Sequence, residues 1–164
     1  MDSYKQHPSL VATWNGEDLD PLPESAESTL TVWLPLPPDD GPQTWEGMNA
    51  VPVEDGIVEL RAVPAYTYGV NFGDHLSTLE SAEGPLVCTG IVRKSGQATF
   101  RICLPEARTE PWRTVAVRYA QTGCLVDVIS ERLIALSCSD TAAPAISQSL
   151  ASDEKAGAFV YENG

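Results

Sequence analysis

Apolar and polar residues alternate through Leu30, Val32 and Leu34 until Pro35 interrupts the run, a period of two that predicts a strand near residues 29–34. Residues 45–53 and 57–63 read as two further strands, with Glu54-Asp55-Gly56 between them as a short hairpin loop. A third hairpin is predicted where 86–94 meets 97–104, because Gly96 tolerates the positive φ that a two-residue turn requires. That turn sets Cys88 directly opposite Cys103 and puts Phe100, Ile102 and Leu104 on an apolar face.

After Leu104 the period lengthens to about 3.6. Thr109 can cap a helix whose first turn contains Glu110 and Pro111, while Trp112, Val115, Ala116, Tyr119 and Ala120 share one face and Gly123 ends it. Residues 124–128 and 133–137 read as two strands joined around Ser130-Glu131-Arg132, a loop that sets Cys124 opposite Cys138. Ser139 or Asp140 can cap a second helix with Pro144 in its first turn, Gly157 closes it, and residues 158–161 form a last strand. From Ala98 the order is β-α-β-β-α-β. The predicted class is therefore α+β: a small curled β-sheet or barrel at residues 28–97, packed on a ferredoxin-like βαββαβ unit at residues 98–164 and sharing one core with it. Residues 1–27, with Pro8, Pro21, Pro23 and few apolar anchors, read as a mobile arm.

Charge narrows the partners. The 164 residues carry 10 basic and 23 acidic side chains, a formal charge of −13, which repels phosphate backbones and anionic membranes and favours a basic protein partner over nucleic acid. The apolar runs are too short to span a bilayer and the N-terminus lacks a secretory pattern, so a cytoplasmic location is expected. Four cysteines without C-x-x-C spacing and only two histidines give no metal or cofactor signature, and reduced thiols are expected.

Among candidate residues, Gly73-Asp74 reads first as a turn into a strand, with the Asp74 carboxylate bonding nearby amides, and only second as a functional acid beside His75. Arg101 reads as the internal partner of an acid, or alternatively as the fork that holds a carboxylate ligand. Tyr66, Tyr68 and Phe72 would point to one side of an extended segment, as a core stripe or as the border of a small-molecule pocket with Asp74 and Arg101. Ser95-Gly96 lies in a turn between strands, not in the strand-to-helix setting of a nucleophile elbow.

Pro64 followed by Tyr66-x-Tyr68-Gly69-Val70, the Gly73-Asp74 pair, Ser95-Gly96 ahead of Thr99-x-Arg101, and Gly123-Cys124 together resemble the bacterial family DUF4265, a domain of unknown function, from Thr31 to Glu162. Where members of that family often have Asn before Pro64 and Phe after it, this chain has Val63 and Ala65. The resemblance implies a small β-rich plus ferredoxin-like protein and brings no established activity, cofactor or catalytic residue. The reading of function is a small acidic binding protein, for instance an immunity-like protein that neutralises a basic partner. The alternative is a small-molecule-binding module, or an accessory enzyme of a biosynthetic cluster, using a pocket near Tyr66, Asp74 and Arg101.

Overall fold

In a computed structural model the described residues are 1–23, 30–108 and 110–164. The strands are β1 (Ser3–Gln6), β2 (Val11–Trp14), β3 (Leu19–Pro21), β4 (Leu30–Pro35), β5 (Thr44–Glu54), β6 (Ile57–Leu60), β7 (His75–Glu80), β8 (Leu86–Arg93), β9 (Gln97–Cys103), β10 (Leu125–Ser130), β11 (Leu133–Ser139) and β12 (Val160–Asn163). Helix α1 spans Trp112–Gln121 and α2 spans Ala143–Lys155.

The period-two segments close a barrel. The first sheet runs β1-β5-β4-β8-β7-β6, and β5 pairs with β6 as well, so β5, β4, β8, β7 and β6 form a ring with β1 added in parallel along β5. Closure is possible because β5 is 11 residues long: its first half pairs with β4 and its second half, from Ala50, with β6. Gly56, at φ 73°, makes the β5–β6 turn that the Asp-Gly signal indicates. Val32, Leu34, Met48, Ala50, Leu60 and Leu76 fill the interior.

The second sheet, β12-β9-β11-β10-β2-β3, is antiparallel throughout. From β9 onward the order is the predicted β-α-β-β-α-β. One face, with Phe100, Ile102, Val126, Ile134 and Leu136, packs under Val115 and Tyr119 of α1 and Ile146 and Leu150 of α2. Alternation then sends Arg101, Asp127, Ala135 and Ser137 to the opposite face, where Val11, Val63, Phe72 and Ala135 form a separate buried cluster. Among the described residues no helix is long and apolar enough to cross a membrane.

Three expectations are corrected. Residues 1–27 do not behave as an arm where they are described: β1 lies on the barrel, β2 lies on β10, and Val11 is 0 % exposed. Sheet edges offered this polar segment backbone hydrogen bonds, which its side-chain composition does not reveal. The Ser95-Gly96 turn does not join a hairpin. Strand β8 stays in the barrel on β7 and β4 while β9 joins β11 and β12, so Cys88 and Cys103 belong to different sheets. The turn is pinned from outside, since Ser95 N–H donates to Asp74 Oδ1 and Asp140 N–H to the Gly96 carbonyl. Residues 61–74 are irregular rather than extended, so Tyr66 and Tyr68 are 36 % and 55 % exposed while Phe72 is buried. The Thr109 cap lies outside the described residues; α1 starts after Pro111, and before α2 the Ser139 hydroxyl accepts the Ala142 N–H.

Candidate functional site

The loop 61–74 lies between the two sheets and carries Tyr66, Tyr68, Phe72 and Asp74, while His75 opens β7 and Arg101 is on β9. Its backbone has few strand partners, so side chains from both sheets must satisfy it. Glu46, fully buried on β5, accepts Ala65 N–H at Oε1 (2.7 Å) and the N–H groups of Tyr66 (3.2 Å) and Thr67 (2.8 Å) at Oε2. Arg101, fully buried on β9, donates through Nη1 to the carbonyls of Pro64 (3.1 Å) and Thr67 (2.9 Å) and through Nε to Glu162 Oε1 (2.9 Å). Its guanidinium lies 4.5 Å over the Tyr68 ring, and Tyr68 O–H donates to Glu162 Oε2 at 2.9 Å. That bond to Glu162 raises the Tyr68 phenol, with burial and the Glu162 charge adding and Arg101 opposing.

At the loop's start Asp127 accepts Leu10 N–H (3.0 Å) and Val63 N–H (3.1 Å). His7 Nδ1 accepts the Ser9 N–H at 2.8 Å, which leaves Nε2 to donate to the Val63 carbonyl at 2.8 Å, and Nε2 lies 3.8 Å from Asp127. Burial pushes the Asp127 carboxyl up, with His7 and the two N–H bonds opposing. At the loop's end Asp74 accepts Asn71 N–H (3.0 Å) and Ser95 N–H (2.8 Å), the turn role read from Gly73-Asp74.

The structure therefore joins Arg101 and Tyr68 through Glu162 but separates the other candidates. Tyr66 sits under the Lys5 ammonium, 4.2 Å from the ring centre. Asp74 is fully buried behind the 94–95 corner. His75 lines a cleft of about 340 Å³ with Phe72 and Arg93, its Nε2 3.7 Å from Glu59. Tyr66, Asp74 and Arg101 share no open cavity among the described residues. Nor does any group of three or more His, Cys, Asp or Glu among them have the arrangement to hold a metal ion. Sequence reasoning missed Glu46, Asp127 and Glu162. Glu46 left a readable signal: it shares the inward side of β5 with Met48 and Ala50, and an acid at a core position requires partners.

A different surface lies on the outside of the barrel. A Cβ built on Gly47 would fall 2.6 Å from the Trp33 indole, so that ring lies flat over the Gly47 backbone. Tyr4 meets Trp33 edge to face at 5.3 Å and 84°. Register carries the row onward from Trp33 to Val87 and from Val87 to Leu79, which is 65 % exposed. Trp45 stands beside it on β5, its indole N–H donating to Asp2 at 3.2 Å.

Residues 46–161 match DUF4265, a domain of unknown function. The chain belongs to that family. The match spans Glu46, the loop 61–74, Arg101 and Asp127; of the side chains that hold the loop in this DUF4265 protein, His7 lies before the matched region and Glu162 one residue past its end. No curated protein matches the chain. The solved structure described as a novel crystal structure of a hypothetical protein from Neisseria gonorrhoeae is similar to it, with a TM-score of 0.69 and 11 % identity over 81 % of this chain and 92 % of that one. At that identity the likeness shows a shared fold.

Proposed function

We propose that this DUF4265 protein is a non-catalytic binding protein, immunity-like in kind, that docks a basic segment of a partner protein on the outer face of its barrel. The observation that carries this is the aromatic row of Tyr4, Trp33 and Trp45 continued by Val87 and Leu79, in which Tyr4 and Leu79 are exposed and Trp33, Trp45 and Val87 partly so. Faces of indole and phenol rings attract ammonium and guanidinium groups. Asp2 bonds Trp45, Asp39 and Asp40 lie in the connection leading into β5, and Glu80 pairs across from Leu86 beside Leu79. Lys5 is turned to the other side, over Tyr66. A net charge of −13 adds a long-range field that speeds encounter with cations.

The β9–β12 half is read in the same proposal as a ferredoxin-like unit. Supporting that are its β-α-β-β-α-β order and the antiparallel strand order β12-β9-β11-β10, to which β2 and β3 are added at the edge. A cytoplasmic setting is part of the same reading, supported by four cysteines that are all free thiols.

The test is a calorimetric titration with a Lys/Arg-rich peptide, beside a Ser/Gly-rich peptide of equal length. Saturable binding of the basic peptide is expected, weakening as salt rises and by about tenfold in Tyr4→Ser or Leu79→Ser. Equal binding of both peptides, or binding indifferent to both substitutions, would remove the reading.

A further inference from the structure

The arginines of this chain are nearly all engaged. Arg101 holds Glu162, Arg113 pairs with Asp18, Arg118 with Glu110 and Asp153, Arg61 with Glu59 and Arg108 with Glu131, while Arg132 donates to the Leu104 carbonyl. Arg93 differs: among the described residues it has no hydrogen-bond or ion-pair partner, and it lines the cleft of about 340 Å³ between the barrel and the second sheet. We propose that this cleft is a binding site for a small organic anion, a carboxylate or a phosphate ester with an apolar body, whose oxygens meet Arg93.

The surrounding residues are arranged for such a ligand. His75 is the register partner of Arg93 across β7 and β8, so two nitrogen-bearing side chains stand together at one mouth of the cleft. Lys94 follows, its ammonium donating to the Gly69 carbonyl at 2.5 Å, and Asp74, 3.8 Å away, already accepts two backbone N–H groups. Glu59, the acid in the wall, is held by Arg61 and lies 3.7 Å from His75. Its charge is therefore countered within the wall.

Gln97 adds a fixed neutral donor. Its Oε1 accepts the buried Ser137 hydroxyl at 2.8 Å, which orients the amide with Nε2 as the group left to donate. Phe72 supplies an apolar surface. A volume near the lower end of the range for small-molecule pockets suits a small metabolite rather than a nucleotide. A guanidinium without a carboxylate partner, beside a histidine and a preset amide donor, selects for an oxyanion and against its neutral isostere. The overall charge of −13 opposes the approach of any anion, so recognition rests on these local contacts.

The experiment is an amide-resonance titration of the full chain with benzoate and with phenyl phosphate, against neutral benzamide. Saturating shifts at Gly73, Ser95 and Gln97 are expected for at least one anion, at least about tenfold tighter than for benzamide. Arg93→Gln, at an exposed position that leaves the fold intact, should weaken that anion by about tenfold or more, and Lys155→Gln should not. Which anion binds tighter distinguishes a carboxylate ligand from a phosphate ester. Absence of saturation with both anions, equal affinity for benzamide, or unchanged binding in Arg93→Gln would each overturn the site.

Discussion

Glu46 and Thr67 are joined twice, since Glu46 Oε2 accepts both the Thr67 N–H at 2.8 Å and the Thr67 hydroxyl at 2.7 Å. With the Ala65 and Tyr66 N–H groups, one carboxylate serves four donors in the middle of a loop whose backbone meets strands only near its ends. Replacing it with alanine strands those donors in the interior. Glu46→Ala should destabilise the protein by about 3 kcal/mol or more in urea unfolding, because each buried donor left unpaired costs on the order of 1–3 kcal/mol. Thr67→Val, which removes one donor together with its share of the acceptor, should cost about 1 kcal/mol. Equal effects of the two would show that the carboxylate does not organise the loop.

The asymmetry between what the sequence revealed and what it hid has a physical basis. The positions of β4 to β6, β8 to β12 and both helices follow from local periods of two and 3.6, β7 being marked only by the Gly73-Asp74 turn before it, and the Gly56, Gly123 and Gly157 stops follow from positive φ at 73°, 99° and 84°. Pairing between distant segments leaves no such local trace. The β10–β11 register was legible because its loop is short: Leu125 does face Ser137, although the connection is Glu131-Arg132 with a bulge between Val128 and Ser130 rather than a three-residue loop from Ser130. Ser95-Gly96 gives an equally good turn signal, yet the chain there passes from one sheet to the other because Asp74 and Asp140 hold the corner. Arg101 was readable as one half of an internal ion pair, but its partner Glu162 is 61 residues away and nothing local identifies it.

The N-terminal residues should prove integral to stability. Val11 is completely buried against Val63, Phe72 and Ala135, and His7 and Asp127 together fix the Val63 backbone. Val11→Ala should cost about 2 kcal/mol. Deleting residues 1–14 should lower the melting temperature by more than ten degrees or abolish the transition, since a loss on the order of 1 kcal/mol already shifts it by a few degrees in a domain of this size. A truncated chain that melts with the full one would return the segment to the status of an arm.

Asp127 gives a pH dependence of definite sign. Burial raises its folded pKa above the ordinary carboxyl value of about 3.9, with His7 opposing and Glu46 adding. A group raised in the folded state contributes most below its unfolded pKa and loses that contribution as pH rises through the folded value. The native protein should therefore gain on Asp127→Asn as the pH is lowered from 7 toward 4, His7 and Glu46 being the titratable groups that face it. Urea midpoints of both proteins across that range measure the difference. A difference that stays constant, or that moves in favour of Asp127→Asn on acidification, contradicts the assignment of burial as the dominant cause.

The cysteines test the strand pairing directly. Leu125 pairs with Ser137, so Cys124 and Cys138 lie at the next position across the β10–β11 ladder, both buried under the helices and both free. Burial pushes the Cys138 thiol up to about 11, with Cys124 and Asp140 adding, and burial raises Cys124 as well. Neither presents thiolate at neutral pH, and neither meets solvent. Cys103 is exposed on the far side of the second sheet, and Cys88 points partly into the barrel. A thiol-specific disulfide reagent at pH 8 should therefore label Cys103 first in the native protein, while Cys124 and Cys138 react at least about a hundredfold more slowly, through opening of the sheet. A mild oxidant should give no Cys88–Cys103 linkage, because β8 and β9 lie in separate sheets. Recovery of that linked peptide pair from native protein would restore the hairpin at Ser95-Gly96 and with it a single continuous sheet, in which case neither the closed barrel nor the cleft beside Arg93 could exist as described.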